Sequence, residues 1–486
     1  MHTLDISVLL NLNHFEVWKS LKILHHEDIF AMPLKEKQVL ILLISAAAIA
    51  IMIAVSAFLI ISSEKPTVSV DCSQVVGKTV NLIGVNCGPM GPYGWEKVYV
   101  NNFTREYINM GVQFIRVHDL WDLADVDVVF PNFKKDPSDE SAYDFFLTDK
   151  HIRYMLNTGA QIIYRLGYSY SDPPKNKPPS DLEKWAEVCL HIVKHYNDGW
   201  ANGMHKAIKY WEVWNEPDYE RFWGGTVEDY FRLYNITARK IKEYDPSLLV
   251  GGPGLAYRTD FLEAFLRMCR DNKAPLDFVS WHIYTSNPRD VYSKALTVRS
   301  LMKQYGFSDK LCIITEWNIE MDSDYDLCRS SFGASFTAAT LILLQDAGIN
   351  MTTFYRGDSW TWGGIFYRNG TAGKVYHVMI AFKEVFRNPF RVKCDTDPRL
   401  FAMTTKSEDG KSVILAVSNH ASRSLDYVIK VSNLPWSGSF SYELFSIDDT
   451  SNLSLVSSGE SSGNKFELPT TINPYGVHIL KLKAKP

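Results

Sequence analysis

The chain has 486 residues and a formal net charge of −4, with acidic and basic residues mixed along its length. This length has room for two or three domains with a sizeable core. The charge pattern excludes the basic surface typical of nucleic-acid-binding proteins, so we expect a small or neutral partner.

Residues 1–38 show no long periodic pattern and are interpreted as a cytoplasmic tail. From Val39 to Ser62 the chain carries no charged residue, and at about 1.5 Å per residue it can cross a bilayer core of about 30 Å. The alternative, a cleaved signal peptide, is usually shorter and closer to the N-terminus. Lys35 and Lys37 directly before this run predict a cytoplasmic N-terminus. The sequence therefore predicts a single-pass cell-membrane protein whose large C-terminal part is extracellular.

Two further features of the sequence bear on this orientation. Five Asn-x-Ser/Thr acceptors, which permit a glycoprotein, all lie after the apolar run, at Asn102, Asn235, Asn350, Asn369 and Asn452. The seven cysteines show no CxxC spacing, which argues against a zinc or redox motif. Near-neighbour disulfides would join Cys72 to Cys87 or Cys312 to Cys328, but the spacing leaves the connectivity undecided.

Residues 63–79 are interpreted as a linker and a short strand that joins a C-terminal sheet, and residues 80–388 as a (β/α)8 barrel. Eight short apolar runs, each followed by a helix-length segment, support the barrel. The runs start at Asn81, Phe114, Gln161, Tyr210, Leu248, Asp277, Leu311 and Thr352. A doubly wound open sheet is the alternative, but it would need a GxGxxG turn, and GVNCGPMG does not have that spacing.

Residues 389–486 lose the helical period. Short alternating segments such as SVILAVSN and GVHILKLK are separated by Gly, Ser, Asn and Pro clusters. This pattern predicts an antiparallel β-sandwich.

Polar residues concentrate at the ends of the predicted barrel strands, where barrel active sites form. They are His118 and Asp119, Arg165, Asn215 and Glu216, His282 and Tyr284, Glu316 and Asn318, and Arg356 and Asp358. A buried carboxylate costs several kcal/mol unless it is paired or hydrogen-bonded. These residues therefore form either an ion network, in which Arg116 or Arg165 neutralises the acids, or a catalytic site.

Glu216 and Glu316 end the fourth and seventh predicted strands, so we expect them to face each other across the barrel mouth. Hydrolysis of a glycosidic bond needs such a pair, with one protonated carboxyl for the leaving oxygen and one ionised carboxylate for the anomeric carbon. The sequence therefore indicates a glycosidase.

The stretch WEVWNEPDYERFWGG and the runs FIRVHD, DFVSWHIY and IITEWN resemble glycoside hydrolase family 39, the family of β-xylosidases and α-L-iduronidases. The resemblance covers roughly residues 66–385 and implies a (β/α)8 barrel with a retaining mechanism. It implies that Glu216 is the general acid/base and that Glu316 is the nucleophile. It further implies that Asn215 holds the sugar 2-hydroxyl and that Tyr284 lies near the nucleophile.

The same resemblance makes His118 and His282 hydrogen-bond donors to the sugar, although a histidine at a strand end is often structural. Arg356 and Asp358 depart from the xylosidase pattern. Arg356 could select a uronate through a bidentate pair, or it could form an ion pair with Asp358, and the sequence leaves both open. Trp360 and Trp362, with Trp121, are predicted to form either a stacking platform for substrate or part of the core.

We therefore predict a β-xylosidase-like retaining enzyme without metal or cofactor, acting on extracellular glycans. The alternatives are an α-L-iduronidase-like or other glycosidase of the same clan, and a non-catalytic carbohydrate-binding surface protein. No nucleic-acid partner is expected, and the oligomeric state is left open.

Overall fold

The computed structural model describes residues 65–93, 99–119, 123–320 and 324–485, with isolated positions between 33 and 45. The predicted cytoplasmic tail and the transmembrane run 39–62 lie outside the described ranges. Within those ranges, no helix is both long enough and apolar enough to cross a bilayer. Residues Pro66–Pro486 form one compact unit.

Eight parallel strands close into a barrel in the order β10-β11-β2-β5-β6-β7-β8-β9. These strands are β2 (Gly84–Asn86), β5 (Phe114–Val117), β6 (Gln161–Leu166), β7 (Tyr210–Val213), β8 (Leu249–Leu255), β9 (Phe278–Tyr284), β10 (Leu311–Asn318) and β11 (Met351–Phe354). Each coincides with one of the eight apolar runs, so the barrel prediction is confirmed. A two-stranded ribbon, β3 (Met90–Tyr93) with β4 (Tyr99–Asn102), follows β2.

Helices cover the barrel on the outside. They are α1 (Thr104–Met110), α2 (Val126–Val129), α3 (Phe146–Leu156), α4 (Leu182–Asn197), α5 (Val227–Tyr244), α6 (Thr259–Asp271), α7 (Pro288–Gln304), α8 (Ser331–Leu343) and α9 (Lys374–Arg387). Their starts are specified locally: Thr226 and Asp229 form a reciprocal capping box at α5, and Asn287 caps α7 ahead of Pro288. The barrel strands and the helices share a large apolar cluster, and a second, smaller cluster is formed by the strand residues Ile163, Tyr210, Phe278, Ile313 and Met351.

The remaining strands form a nine-stranded sheet in the order β17-β16-β19-β14-β13-β12-β1-β15-β18. They are β1 (Thr67–Lys78), β12 (Phe390–Thr396), β13 (Phe401–Lys406), β14 (Ser412–Ser418), β15 (Leu425–Ser432), β16 (Ser439–Ile447), β17 (Asn452–Ser462), β18 (Phe466–Ile472) and β19 (Val477–Ala484). Residues from both ends of this order share one apolar cluster, among them Val70, Ile429 and Leu480, as the two layers of a sandwich do.

The sequence predicted an antiparallel sheet, but one pair of strands is parallel: β1 pairs antiparallel with β12 and parallel with β15. This strand precedes the barrel in the chain and lies between two strands that follow the barrel. The other face of the sheet packs on the barrel, where the Ser418 hydroxyl donates to the Ser335 carbonyl at 2.8 Å. All seven cysteines are free thiols, so neither near-neighbour disulfide is present.

Candidate active site

A cavity of about 690 Å³ opens at the carboxyl ends of the barrel strands. The residues predicted for the site that line this cavity are His118, Asp119, Asn215, Glu216, His282, Tyr284, Glu316, Arg356, Trp360 and Trp362. Asp358 does not line it and is buried behind Arg356. The cavity volume is within the range of about 300 to 1,000 Å³ that takes a drug-sized ligand.

The backbone around Glu216 adopts a strained conformation. Glu216 has φ of 48° and Trp214 has φ of 75°, values that non-glycine residues rarely adopt. The Glu216 amide donates to the Gly254 carbonyl at 2.9 Å, and the Asp218 carboxylate accepts from the amides of residues 256–258. These bonds to the end of β8 and to the loop after it hold the turn that directs Glu216 into the cavity.

Glu216 lies in surroundings that favour its protonated form. Its Oε1 is 2.7 Å from Nδ1 of His282. Burial raises the pKa of Glu216 well above the ordinary value, and the neighbouring charge of Glu316 raises it further. Burial, together with Arg116, lowers the pKa of His282, so this histidine is neutral and does not offset the effect. The arrangement suits a carboxyl group that donates a proton.

Glu316 contacts groups that stabilise its ionised form. Arg116 Nη1 donates to Glu316 Oε1 at 2.7 Å, and the Tyr284 hydroxyl donates to Oε2 at 2.5 Å. Burial raises the pKa of Glu316, whereas Arg116 and the Tyr284 hydrogen bond oppose that rise. Of the two glutamates, Glu316 is therefore the one suited to carry negative charge.

The guanidinium of Arg116 organises several polar groups at the barrel centre. Its Nε donates to Glu212 at 2.6 Å and its Nη2 donates to the Asn215 amide oxygen at 2.8 Å. This second bond fixes the orientation of the Asn215 amide, whose buried Nδ2 has no hydrogen-bond partner among the described residues. An N–H group that is oriented and unsatisfied in this way can bind a ligand hydroxyl.

His118 is held in one tautomer. Its Nδ1 accepts from Arg165 Nε at 3.1 Å, so the proton of the neutral ring is on Nε2, which lies 3.4 Å from Glu316 Oε1. Burial and the nearby arginines lower the pKa of His118. Arg165 forms a fully buried ion pair with Asp125 at 2.7 Å, so it does not neutralise the glutamate pair.

The two residues for which the sequence left alternatives open form an ion pair. Arg356 Nε and Nη2 donate to the two Asp358 carboxylate oxygens at 2.9 and 2.7 Å. Arg356 Nη2 also donates to the Asp119 carbonyl at 3.1 Å. The Nε–Nη2 edge of the guanidinium, one of its two bidentate edges, is therefore occupied by Asp358.

Aromatic rings form one wall of the cavity. Trp362 packs against Tyr284 and Tyr355, with ring centroids 5.2 and 5.3 Å apart, and Trp360 lies near the Arg356 guanidinium. Trp362 is thus partly packed against other rings and partly lines the cavity. Trp121 lies outside the described residues. None of the described residues 123–143, which follow it, lines the cavity.

Asp119, which the sequence places directly after His118 at a strand end, also lines the cavity and accepts from the Tyr355 hydroxyl at 2.6 Å. Lys294 lines the cavity as well but was not predicted, because it lies within α7, away from any strand end. Its ammonium donates to the carbonyls of Ala256 and His282, both at 2.9 Å, and burial lowers its pKa to about 8.

One group of described residues is close enough to hold a metal ion. A ligand atom from each of Glu216, His282 and Glu316 lies within 4.8 Å of the others. Two carboxylates and an imidazole are a plausible ligand set for zinc. The His282 atom that would bind a metal already lies at hydrogen-bond distance from Glu216. The expectation of a metal-free enzyme stays a prediction.

Comparison with known proteins gives related sequences and folds. Residues 82–393 match the profile of "Glycosyl hydrolases family 39". A "Beta-xylosidase" of Geobacillus stearothermophilus is 26% identical over 315 residues, and the match spans 58% of this chain and 60% of that protein's length. A "Beta-xylosidase" of Caldicellulosiruptor saccharolyticus is 25% identical over 360 residues, spanning 64% of this chain and 70% of that protein.

Solved structures share the fold at lower identity. A glucosidase from Croceicoccus marinus superposes with a TM-score of 0.74 at 23% identity, covering 87% of this chain and 99% of that one. A monomeric β-xylosidase from Caulobacter crescentus gives a TM-score of 0.69 at 16% identity, covering 86% and 100%. The profile match spans well over half of the chain and includes all eight barrel strands. The chain therefore belongs to glycosyl hydrolase family 39.

Proposed function

We propose that this protein is a retaining glycoside hydrolase that cleaves β-xylosides by double displacement, with Glu316 as nucleophile and Glu216 as general acid/base. The observation that carries the proposal is the pair itself, in which an oxygen of the half-buried Glu216 lies within 4.8 Å of an oxygen of the buried Glu316 and the two carboxyl groups have different partners. Retaining glycosidases hold these groups about 5 to 5.5 Å apart, whereas inverting enzymes need about 6.5 to 9.5 Å to admit a water molecule. The short separation supports direct attack on the sugar.

In the first step, the Glu316 carboxylate attacks the anomeric carbon while the bond to the leaving oxygen breaks and Glu216 protonates that oxygen. In the second step, Glu216 takes a proton from water, the water oxygen bonds to the anomeric carbon, and the ester to Glu316 breaks. Arg116 and Tyr284 stabilise Glu316 as it leaves as a carboxylate. The unpaired Asn215 Nδ2 supplies a donor for the sugar 2-hydroxyl.

The choice of xylose is supported by the relatives called β-xylosidase. An α-L-iduronidase-like activity is the second candidate, since the resemblance includes that branch and Arg356 lines the cavity. The bidentate pair of Arg356 with Asp358 favours the neutral sugar, because Asp358 neutralises the Arg356 charge and occupies one of the two bidentate edges of the guanidinium. A non-catalytic carbohydrate-binding protein is the third candidate, and the two intact glutamates weigh against it.

The test is a panel of aryl β-xyloside, β-glucoside, β-galactoside, α-arabinoside and α-iduronide, followed by proton NMR of the best substrate during hydrolysis. We expect the highest kcat/KM on the β-xyloside and a first-formed sugar of unchanged anomeric configuration. An inverted first product would refute double displacement. Binding of the glycosides without turnover would favour the non-catalytic alternative.

The pH dependence follows from the two raised pKa values. Activity needs Glu316 ionised, so it falls as the pH drops through that pKa, and it needs Glu216 protonated, so it falls as the pH rises through the other. Because burial raises both values, we expect a bell-shaped kcat/KM profile with its acid limb above the ordinary glutamate value of 4.5. The two limbs report the pair as a whole.

Tyr284→Phe provides the internal check on this profile. It removes the hydrogen bond that lowers the pKa of Glu316, so the acid limb should move to higher pH while the basic limb moves less. An acid limb at or below 4.5 in the unmodified enzyme, or a limb that moves down in the variant, would contradict the assignment.

We further propose that residues 39–62 anchor the enzyme in the cell membrane with the catalytic part outside. The charge-free run and the preceding lysines support this orientation. All residues of the site lie within the unit Pro66–Pro486. We expect deletion of residues 1–62 to release an enzyme of unchanged kcat/KM from the membrane fraction. If the deleted protein still sedimented with membranes, residues 39–62 would not be the anchor.

A further inference from the structure

Two tyrosines at the cavity mouth are exposed although they line the cavity. Tyr257 is 60% exposed and Tyr219 is 37% exposed. Their rings meet edge to face with centroids 6.0 Å apart. Exposed aromatic rings in contact with each other beside a ligand cavity offer apolar area that a ligand can cover.

A third ring extends this surface inward. Phe222 lies 6.1 Å from Tyr219 and 6.4 Å from His118, measured between ring centroids. Because His118 is next to Glu316, the rings run from the catalytic pair to the solvent. We call Phe222, Tyr219 and Tyr257 the aromatic rim.

The rim is fixed beside Glu216. The Tyr219 amide donates to the Glu216 carbonyl at 3.0 Å, and the Tyr257 amide donates to the Asp218 carboxylate at 2.9 Å. Lys294 donates to the Ala256 carbonyl at 2.9 Å and so braces the same loop. These hydrogen bonds connect the aromatic rim to the turn that carries Glu216 and fix its position relative to that carboxyl group.

We propose that the aromatic rim binds the leaving group of the substrate, and that this group presents a flat apolar face, either an aryl ring or a second sugar ring. The inference rests on the proposed function, because the proton donor Glu216 must lie on the leaving-group side of the scissile bond. A cavity of about 690 Å³ takes a ligand larger than one sugar ring. The faces of Tyr219 and Tyr257 can stack on aromatic rings or on the CH face of a sugar.

The test compares three substrates with the same sugar, the one preferred in the glycoside panel. They are the nitrophenyl glycoside, the disaccharide and the glycosyl fluoride, whose leaving group is a single atom that cannot reach the rim. We expect Tyr257→Ala to lower kcat/KM by on the order of tenfold for the first two and by much less for the fluoride. Tyr257→Trp keeps an aromatic face and should retain most of the activity on all three.

The outcomes test the proposal for the aromatic rim separately from the proposed function. A loss on the nitrophenyl glycoside alone identifies an aryl leaving group, and a loss on the disaccharide alone identifies a sugar. Equal losses on all three substrates, or no loss on any, would overturn the proposal for the rim. Failure of the unmodified enzyme to cleave any of them would instead refute the proposed function.

Tyr325→Ala is the matched control, since Tyr325 is 41% exposed and does not line the cavity. Removing this side chain should leave the three kcat/KM values unchanged. A selective loss on the flat leaving groups in this control would show that the effect is not specific to the rim.

Discussion

Glu316→Ala is expected to lower kcat/KM for aryl glycosides by on the order of 10⁵-fold, a size typical for removal of a catalytic nucleophile. The substitution removes the carboxylate that would bond to the anomeric carbon. The fold should survive, because Arg116 keeps its partner Glu212 at 2.6 Å. Circular dichroism and thermal unfolding check this directly. Glu320 is exposed and lies four residues after Glu316. Glu320→Ala is therefore the matched control and should be fully active.

Added azide identifies the role of the missing group. The anion can occupy the space left by the Glu316 carboxylate and attack the sugar from that side, while Glu216 still protonates the leaving group. We expect partial recovery of turnover and a glycosyl azide of inverted configuration, identified by NMR. Activity of Glu316→Ala within tenfold of the unmodified enzyme, or an azide product of retained configuration, would show that another residue is the nucleophile.

The barrel could be predicted from the sequence because each of its strands is buried on both faces. Such strands are continuous apolar runs, and all eight were identified. The polar residues that end these runs meet at one rim of the barrel, so the position of Glu216 and Glu316 in one cavity also followed from the pattern. The carboxyl ends of the strands lie close together at one end of a barrel, regardless of how the side chains pack.

The C-terminal sheet was harder to predict strand by strand. β17 is mostly exposed and serine-rich, and β18 contains Pro469; both are edge strands, which tolerate polar residues and proline. β17 carries few apolar residues, and in β18 the alternation that begins with Phe466 and Leu468 is followed by Pro469 and two threonines. The parallel pairing of β1 with β15 joins segments more than 300 residues apart, and no local pattern reports such a contact.

Within the site, the sequence supplied residue types but not their partners. Arg356 and Asp358 are separated by one residue, and whether they pair with each other or with a ligand depends on side-chain geometry. The partners of Arg116 come from three other strands, including Glu212 and Glu316. Lys294 reaches the cavity from a helix. These contacts depend on tertiary packing and therefore could not be predicted from the sequence.

Glu216→Ala is expected to reveal its role through the dependence on leaving group. A poor leaving group such as a second sugar needs protonation, so kcat/KM for the disaccharide should fall by about 10² to 10⁴-fold, the usual contribution of a general acid. Dinitrophenolate leaves without being protonated, so the first step with a dinitrophenyl glycoside should be nearly unaffected. The exposed Glu220→Ala is the matched control and should behave as the unmodified enzyme on both substrates.

The second step gives an independent result for the same variant. Without Glu216 no base activates water, so the ester of the sugar with Glu316 should accumulate and give a burst of dinitrophenol before a slow steady state. Azide needs no base to attack this ester, and it should restore turnover and form a glycosyl azide of retained configuration. Azide is expected to give the inverted product with Glu316→Ala and the retained product with Glu216→Ala. The two variants together therefore distinguish the nucleophile from the general acid/base. If Glu216→Ala kept full activity on the disaccharide, the proton would come from another group, and His282, 2.7 Å from Glu216, would be the next residue to test.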